Sequence, residues 1–447
     1  MFLHHLKGAF DGIRQLSTDS KKQQAWKQVA KSSVEMIALH TIGADTWPMQ
    51  DTMADVAFSL GIGGGDSGIS SKVSYQAGIV DVVSSGMTQL GTKPTLLALV
   101  NSNDVGALQS SVQALQGLHG LLMSVFLDFF LRGTLHSSSA SITSVSSGAG
   151  AGSEVDQVTE YVGLAVQTAV VSLNHTLAGR FTESMSTTPV IIEDYVERIS
   201  VGAVRGSFNI SSTHHVVTSI QFSKLSQVVS RSLVTGVSEM TIYSASVTGT
   251  VELSQIVARS VKTCCHQQQE LVLSACTSSD CSTRSDLLLS SAHGIIESIS
   301  NMPPSTLAVS GIKTMVMSIT SSQVHGLSKV TSLVDSTASK DALIDLLREL
   351  LAQLMSLLSL LVTSTTNAHV DVTLISTEII EGLSSGFSHG VSSYLLVIAL
   401  ALPLPLMTLT PTLTSSVAAA SNSPSPVSPC PVSNGPSPNP TPNPTPT

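Results

Sequence analysis

The chain has 447 residues, of which 21 are Lys or Arg and 30 are Asp or Glu, so its formal net charge is −9. Charged residues make up only 11% of it, against about 25% in an average soluble domain, whereas 75 Ser and 41 Thr supply abundant small hydroxyls. This balance disfavours nucleic-acid binding, which needs clustered basic residues, and it leaves few ionisable side chains for a metabolic enzyme.

The first part of the chain, residues 1–136, predicts a helical bundle. Apolar residues recur at helical spacing between 25 and 39, and again from Asp51 to Leu60. We expect two further helices in this bundle, at 69–90 and 104–131. The fold class that follows is all-α.

The glycine-rich stretch 61–68, GIGGGDSG, is expected to end the helix that precedes it. Its last four residues match the GDSG around a serine-protease nucleophile, but the chain upstream is too short for the barrels that carry the other members of that triad. Gly63, Gly65 and Gly68 also match the spacing of a dinucleotide loop, although the surroundings predict helices rather than a βαβ unit. The sequence therefore predicts no catalytic residue and no cofactor.

Composition changes after residue 136. Residues 137–153, SSSASITSVSSGAGAGS, are typical of a flexible linker. The region 154–300 is rich in Val and Ser and predicts further helices, but its β-branched residues also allow strands. Those strands are expected at 213–222 and 239–252, so the middle region is less well determined than the two ends.

Four of the five cysteines lie in one segment of the middle region: Cys264, Cys265, Cys276 and Cys281. Together with His266 they contain enough ligands for zinc, but their spacing matches no structural zinc pattern, and no metal is predicted. The sequence allows these cysteines to form disulfides or to stay as free thiols. Because the chain has five cysteines, at least one of them has no disulfide partner within the chain.

The strongest helix is predicted at 340–362, within a C-terminal helical domain at 301–396. Its leucines follow the i, i+3, i+4, i+7 pattern, and beyond Gln353 the helix is apolar on nearly every side. Such a helix must be buried on every side, either inside a bundle or between chains, and in the second case it forms a dimer core. The residues expected to form that core are Leu347, Leu350, Leu354, Leu358 and Leu361.

The remaining residues, 397–447, predict an apolar segment followed by a disordered tail. The run YLLVIALAL at 394–402 is followed by prolines and is about half the length needed to span a bilayer, so membrane insertion is not expected. The final PSPNPTPNPTPT favours an extended polyproline conformation.

Residues 305–395 resemble the C-terminal domain of spidroins, the spider silk proteins. The match is carried by Ser339–Glu349, SKDALIDLLRE, and by the apolar helix that follows it. Asp341 and Glu349 fall at the two acidic positions of that family. Lys340 stands where the family has a cysteine, so the family's interchain disulfide cannot form at that site.

The resemblance implies that these acids make salt bridges that hold the domain together. The family pairs them with arginines on earlier helices, where this chain offers only Lys313 and Lys329. Arg348, beside Glu349, is a further member of this charge cluster.

Residues 20–131 resemble the spidroin N-terminal domain more distantly. The likeness is clearest at Gly63–Gln89, where Lys72 falls on the family's lysine and Asp81 is the acid nearest to its acidic relay.

The resemblance implies a secreted structural protein whose terminal helical domains mediate dimerisation and assembly. It implies self-association as the partner interaction, with no small-molecule substrate and no nucleic acid. Secretion is an expectation of the family alone, since the first residues, MFLHHLKGAFDGIRQ, lack the apolar core of a signal peptide. The alternative is a membrane-associated or cell-surface protein in which the Pro/Ser/Thr-rich tail is a stalk.

Overall fold

The computed structural model describes residues 2–40, 46–101, 105–145, 151–178, 188–208, 219–240, 281–302 and 313–321, with isolated positions at 261–263, 266, 352, 377, 381 and 385. Within these ranges every regular element is helical and no residue lies in a strand. The prediction of an all-α fold is therefore confirmed. The helices are α1 Phe2–Arg14, α2 Asp19–His40, α3 Thr46–Asp66, α4 Lys72–Asn101, α5 Val105–Val145, α6 Ala151–Ala178, α7 Thr188–Phe208, α8 Ser219–Ser238 and α9 Cys281–Ser300.

The helices form two rows. The first row consists of α1, α3, α5 and α7, and the second row of α2, α4, α6, α8 and α9, with each helix packed on the next one of its row and the rows packed on each other. Neighbours within a row run parallel: Gly202 and Gly206 of α7 lie against Ser124 and Asp128 of α5. This arrangement is that of an α-solenoid, in which helical pairs stack along one direction.

One continuous hydrophobic core runs between the rows, from Leu6 in α1 to Ile319 in the helical residues 313–321. Its largest fully buried side chain is Trp26, whose indole Nε1 donates to the carbonyl of Leu60 at 3.1 Å. That bond ties α2 to α3 while the ring fills the space beneath α4. The polar N–H of Trp26 is therefore hydrogen-bonded even though the whole side chain is buried.

The helix ends later in the stretch 61–68 than its glycines predict, because α3 continues through Gly61, Gly63, Gly64 and Gly65 to Asp66. These glycines are needed for packing. A Cβ on Gly61 would lie 2.3 Å from the carbonyl oxygen of Phe130, and one on Gly63 would lie 2.1 Å from the ring of Phe10. Close approach of neighbouring helices outweighs the low helix propensity of glycine.

The chain turns at Gly68, whose φ of 65° is left-handed. The amide of Gly68 donates to the carbonyl of Gly65, as in a helix C-terminal cap. The next helix starts at Lys72, with the Ser71 hydroxyl accepting from the Ser74 amide at 3.4 Å. The stop is thus set by one glycine rather than by the whole run.

The predicted linker at 137–153 is wrong at both of its ends. Residues 137–145 continue α5, and α6 already begins at Ala151. Ser137 packs against Gly65 of α3, so tertiary contact stabilises a helix in this Ser-rich stretch. Buried residues of α5 and α6 share one core, so the described helices pack together across this predicted boundary.

Strands were a second expectation for the middle region. Of residues 213–222, the structure describes 219–222, and these are helical and belong to α8. Of 239–252, only residues 239 and 240 are described, and they lie in the turn region after α8. Burial of the β-branched side chains Val229, Val234 and Val237 compensates for their modest helix propensity.

Candidate assembly surface

The second row carries a repeated polar contact on its solvent side. At the α2–α4 junction, Gln23 Nε2 and Lys27 Nζ, one turn apart, each donate to the carboxylate of Asp81 at 2.7 Å. The Lys27 and Asp81 side chains are 41% and 26% exposed, so the pair is only partly desolvated. We call this arrangement, a Gln and a cation one turn apart on one carboxylate of the next helix, a carboxylate clamp.

A second carboxylate clamp joins α4 to α6. Lys72 Nζ lies 2.7 Å from Glu160 Oε2, and Gln76 Nε2 donates to Glu160 Oε1 at 2.8 Å. The hydrogen bond from Lys72 to Glu160 raises the pKa of the Lys72 ammonium. Lys72 was expected to form a salt bridge that supports assembly. In the structure it pairs with Glu160 of the same chain, and this pairing does not bear on assembly.

A third carboxylate clamp joins α8 to α9. Gln227 Nε2 and Arg231 Nη1 donate to the two oxygens of Glu297 at 3.1 and 3.0 Å. The intervening α6–α8 junction uses a different pattern, in which Lys224 binds Asp156 and Gln167 donates to Glu239 at 2.7 Å. Every in-row junction from α2 to α9 is therefore crossed by an ion pair, and three of the four share one geometry.

Hydroxyl pairs reinforce the α8–α9 junction. Ser230 and Ser291 hydroxyls lie 3.0 Å apart in a buried position, and Thr235 and Ser298 hydroxyls lie 2.8 Å apart. Beside them, a Cβ on Gly294 would lie 2.1 Å from the carbonyl oxygen of Gln227. The high content of Ser and Gly thus serves close parallel packing of helices, in which buried hydroxyls satisfy one another.

Asp19 holds the loop between α3 and α4. Its Oδ2 accepts the Ser71 amide at 2.8 Å, the Ser70 amide at 3.2 Å and the Ser70 hydroxyl at 3.1 Å. The Ser71 amide contributes most to holding the pKa of Asp19 below its ordinary value, and the Ser70 groups act in the same direction. Lys22 fixes the same loop by donating to the carbonyl of Gly68 at 2.7 Å.

An aromatic cluster lies beneath the first two carboxylate clamps. The Tyr75 ring centroid is 5.8 Å from that of Trp26 and 4.7 Å from that of Tyr161, so one tyrosine connects α2, α4 and α6. Burial raises the pKa of both tyrosine hydroxyls, and the nearby Tyr161 adds to the effect on Tyr75. Both phenols are therefore uncharged, which is consistent with a role in packing.

The first row contains a buried acid. Asp128 of α5 is 7% exposed and accepts from Arg132 Nε at 2.6 Å and Nη2 at 3.0 Å. Burial raises the pKa of Asp128, although Arg132 and, more weakly, Arg205 of α7 act against it. The Arg132 guanidinium also lies 4.5 Å over the ring of Phe129, which orients it along the surface of α5.

The GDSG serine does not have the geometry of a nucleophile. Ser67 is fully buried, and its hydroxyl donates to the carbonyl of Gly64 at 2.7 Å. In the part of the chain that the structure describes, no group of three or more His, Cys, Asp or Glu side chains could hold a metal ion.

Most of the C-terminal predictions lie outside the described residues. This holds for Asp341, Arg348 and Glu349, for the leucine core and for Cys264, Cys265 and Cys276. Cys281 is the first residue of α9. Lys313, expected as a partner for Asp341 or Glu349, forms an ion pair with Glu381, an acid that was not among the predicted partners.

We found no match to this chain among protein-family models, curated proteins or solved structures. Among the described residues, one helical stretch, Gly117–Ser137 of α5, is long and apolar enough to cross a bilayer, and most of it is buried against the other helices. A core helix of a packed bundle meets the same criteria of length and composition.

The carboxylate clamps were not predicted from the sequence. Their donor halves are visible as Gln and Lys or Arg four residues apart, on one face of a predicted helix. Their acceptors lie between 54 and 88 residues away along the chain, and only the parallel stacking of helices brings the two halves together. An i, i+4 search for Gln–cation pairs would have found the donors but not the partners.

Proposed function

We propose that this chain is a structural protein of the silk type, which functions by self-association of its helical regions. The proposal rests first on the resemblance of Ser339–Glu349 and the following helix to the spidroin C-terminal domain. It implies a secreted protein that assembles with copies of itself and uses no cofactor.

The observation that supports this proposal is the repeated stack of the second row. Successive parallel helices are joined by the same kind of carboxylate clamp at Asp81, Glu160 and Glu297. Stacked helical arrays are modular, and their long surfaces are suited to binding other proteins rather than to enclosing a substrate. The low charge and abundant hydroxyls of the chain are compatible with a protein stored at high concentration.

The test compares the full chain with Leu354→Asp by sedimentation velocity over a range of concentrations. We expect the parent to form dimers or larger species, and Leu354→Asp to weaken this self-association by removing the contact made by the C-terminal core, because a carboxylate buried without a partner is costly. Ala352→Asp is the matched control, since Ala352 is helical and exposed and the same charge is added two residues away.

Circular dichroism establishes that each variant stays folded. A parent chain that is monomeric at every concentration would overturn the proposal. Equal dissociation by both substitutions would show that added charge, rather than loss of an apolar core, drives the effect.

A further inference from the structure

A self-complementary surface lies on the solvent side of the first row. Along α5, the partly exposed side chains are spaced about one turn apart: Leu118, Leu121, Val125, Phe129 and Arg132. Leu118, Val125 and Phe129 rest on the core with one side and reach solvent with the other. We call this stripe, together with the exposed side of α7, the α5–α7 face.

Charges of opposite sign lie at the two ends of the α5–α7 face. At one end, α7 exposes Asp194, Glu197 and Arg198, a group with one net negative charge. At the other end, Arg132 and Arg205 flank the single acid Asp128, which leaves one net positive charge. Between the two ends, Val125 and Val201 are partly exposed and apolar.

The register of the two helices fixes the centre of this pattern. Gly120 lies beside Arg198, Ser124 beside Gly202, and Asp128 beside Gly206, so α5 and α7 run side by side in the same direction. Asp194 lies eight residues before Gly202, and Arg132 lies eight residues after Ser124, so the outermost charges stand about 12 Å to either side of this contact. The midpoint of the charged ends falls close to Val125.

We propose that the α5–α7 face binds the same face of a second copy of this chain, about a twofold axis that passes near Val125. A twofold axis perpendicular to the helices sets the two copies antiparallel. It places the acidic end of one copy over the arginine end of the other and brings the apolar centres together. An isologous contact requires a patch that complements itself, and this face has that property.

This interface is separate from the C-terminal core and does not rest on it. One isologous interface closes a dimer, whereas two independent interfaces on one chain link dimers into an open-ended array. The α5–α7 face would therefore supply the second contact that a polymer-forming protein requires.

The position of the axis is tested by photo-crosslinking of the full chain. Benzoylphenylalanine replaces Val125 in one variant and Val73 in the other. Val73 is the matched control because it is the most exposed large apolar side chain on the described helices, 74% exposed on α4 of the opposite row. We expect Val125 to yield covalent dimers whose joined peptides map to residues 118–132 of the other copy, and Val73 to yield none.

The charge pattern is tested by a swap measured with sedimentation velocity. Arg205→Glu and Glu197→Arg each place like charges opposite one another, and each is expected to raise the dissociation constant of this contact about tenfold. The double variant restores opposite charges and should return the constant to the parental range. A double variant as weak as the single ones would contradict the antiparallel arrangement.

The outcomes separate this interface from the C-terminal one. Dimers that crosslink at Val125 in the Leu354→Asp background support the α5–α7 face even if the C-terminal core proves unimportant. Self-association without Val125 crosslinks would overturn the α5–α7 face and leave the proposed function standing. Val125→Glu, compared with Val73→Glu, checks the same point without a photoreactive residue.

Discussion

Gly61 of α3 and Gly133 of α5 face each other across the first row. A Cβ on Gly61 would lie 2.9 Å from the Cα of Gly133, and a Cβ on Gly133 would lie 3.0 Å from the Cα of Gly61. Each would also lie 2.3 Å from a backbone carbonyl oxygen of the opposite helix, that of Phe130 or Phe58. The two backbones thus touch without intervening side chains, in the manner of small-residue helix contacts.

Replacing Gly61 by Ala should destabilise the protein by about 1–3 kcal/mol, because the methyl group meets backbone that must move as a unit. Gly117→Ala is the matched control, since a Cβ on this helical glycine of α5 would meet no neighbouring atom within 4 Å. That substitution should stabilise by about 0.5–1 kcal/mol through helix propensity alone. Urea unfolding followed by circular dichroism measures both, and a stabilising Gly61→Ala would contradict the backbone contact.

Asp19 should make the stability of the fold depend on pH in the acidic range. Its pKa is lowered in the folded state by the amide of Ser71, so its contribution is complete above the unfolded pKa of about 3.9. That contribution is lost as the pH falls through the lower, folded value. Asp19→Asn should therefore reduce the urea midpoint at pH 7 and reduce its fall at low pH, relative to the parent.

Asp11→Asn is the control for Asp19→Asn, since Asp11 is an exposed carboxylate on α1. If both variants show the same pH dependence as the parent, the contacts of Asp19 with the 68–71 loop add nothing to stability.

Asp128 should have the opposite effect on how stability depends on pH. Burial raises its pKa, so the protonated form is favoured on folding, and its contribution is greatest below the unfolded value of about 3.9. The contribution declines as the pH rises through the higher, folded pKa. Asp128→Asn should therefore raise stability at neutral pH by about 1 kcal/mol or less, because it replaces a desolvated charge with a neutral amide of similar shape.

Arg132→Gln is the informative comparison for Asp128. It leaves the buried carboxylate without its bidentate partner and should destabilise the protein at pH 7 by more than about 1 kcal/mol. Thermal unfolding at pH 4 and pH 7 distinguishes the two variants. A loss of stability in Asp128→Asn equal to that in Arg132→Gln would mean that attraction between the two groups exceeds the cost of burial.

The carboxylate clamp on Asp81 should contribute modestly and depend on salt. Asp81→Asn removes the ion pair with Lys27 and weakens the hydrogen bond from Gln23, for an expected loss of about 1 kcal/mol. The difference between variant and parent should shrink at high ionic strength, because partly exposed charges are screened. Denaturation in low and high salt measures this, and a difference independent of salt would assign the loss to the hydrogen bond from Gln23 alone.

The pattern of apolar residues determined the helical class of this protein by itself. Periodicity at 25–39 and 51–60 lies within α2 and α3, because amphipathic spacing is a local property that survives in any packing. The same local reasoning placed a break at 61–68 and a linker at 137–153, where Gly and Ser are poor helix formers. Local spacing carries no information that another helix approaches these residues closely enough to require small side chains.

Tertiary structure alone decided how the helices are used. Gln23 and Lys27 are recognisable as neighbours on one helix face, but Asp81 becomes their partner only when α2 and α4 stack in parallel register. Likewise, Asp194 and Arg132 belong to one surface only because α7 lies alongside α5. Contacts between residues far apart in the chain depend on the register of packed helices, and the spacing of residues within a single helix does not encode that register.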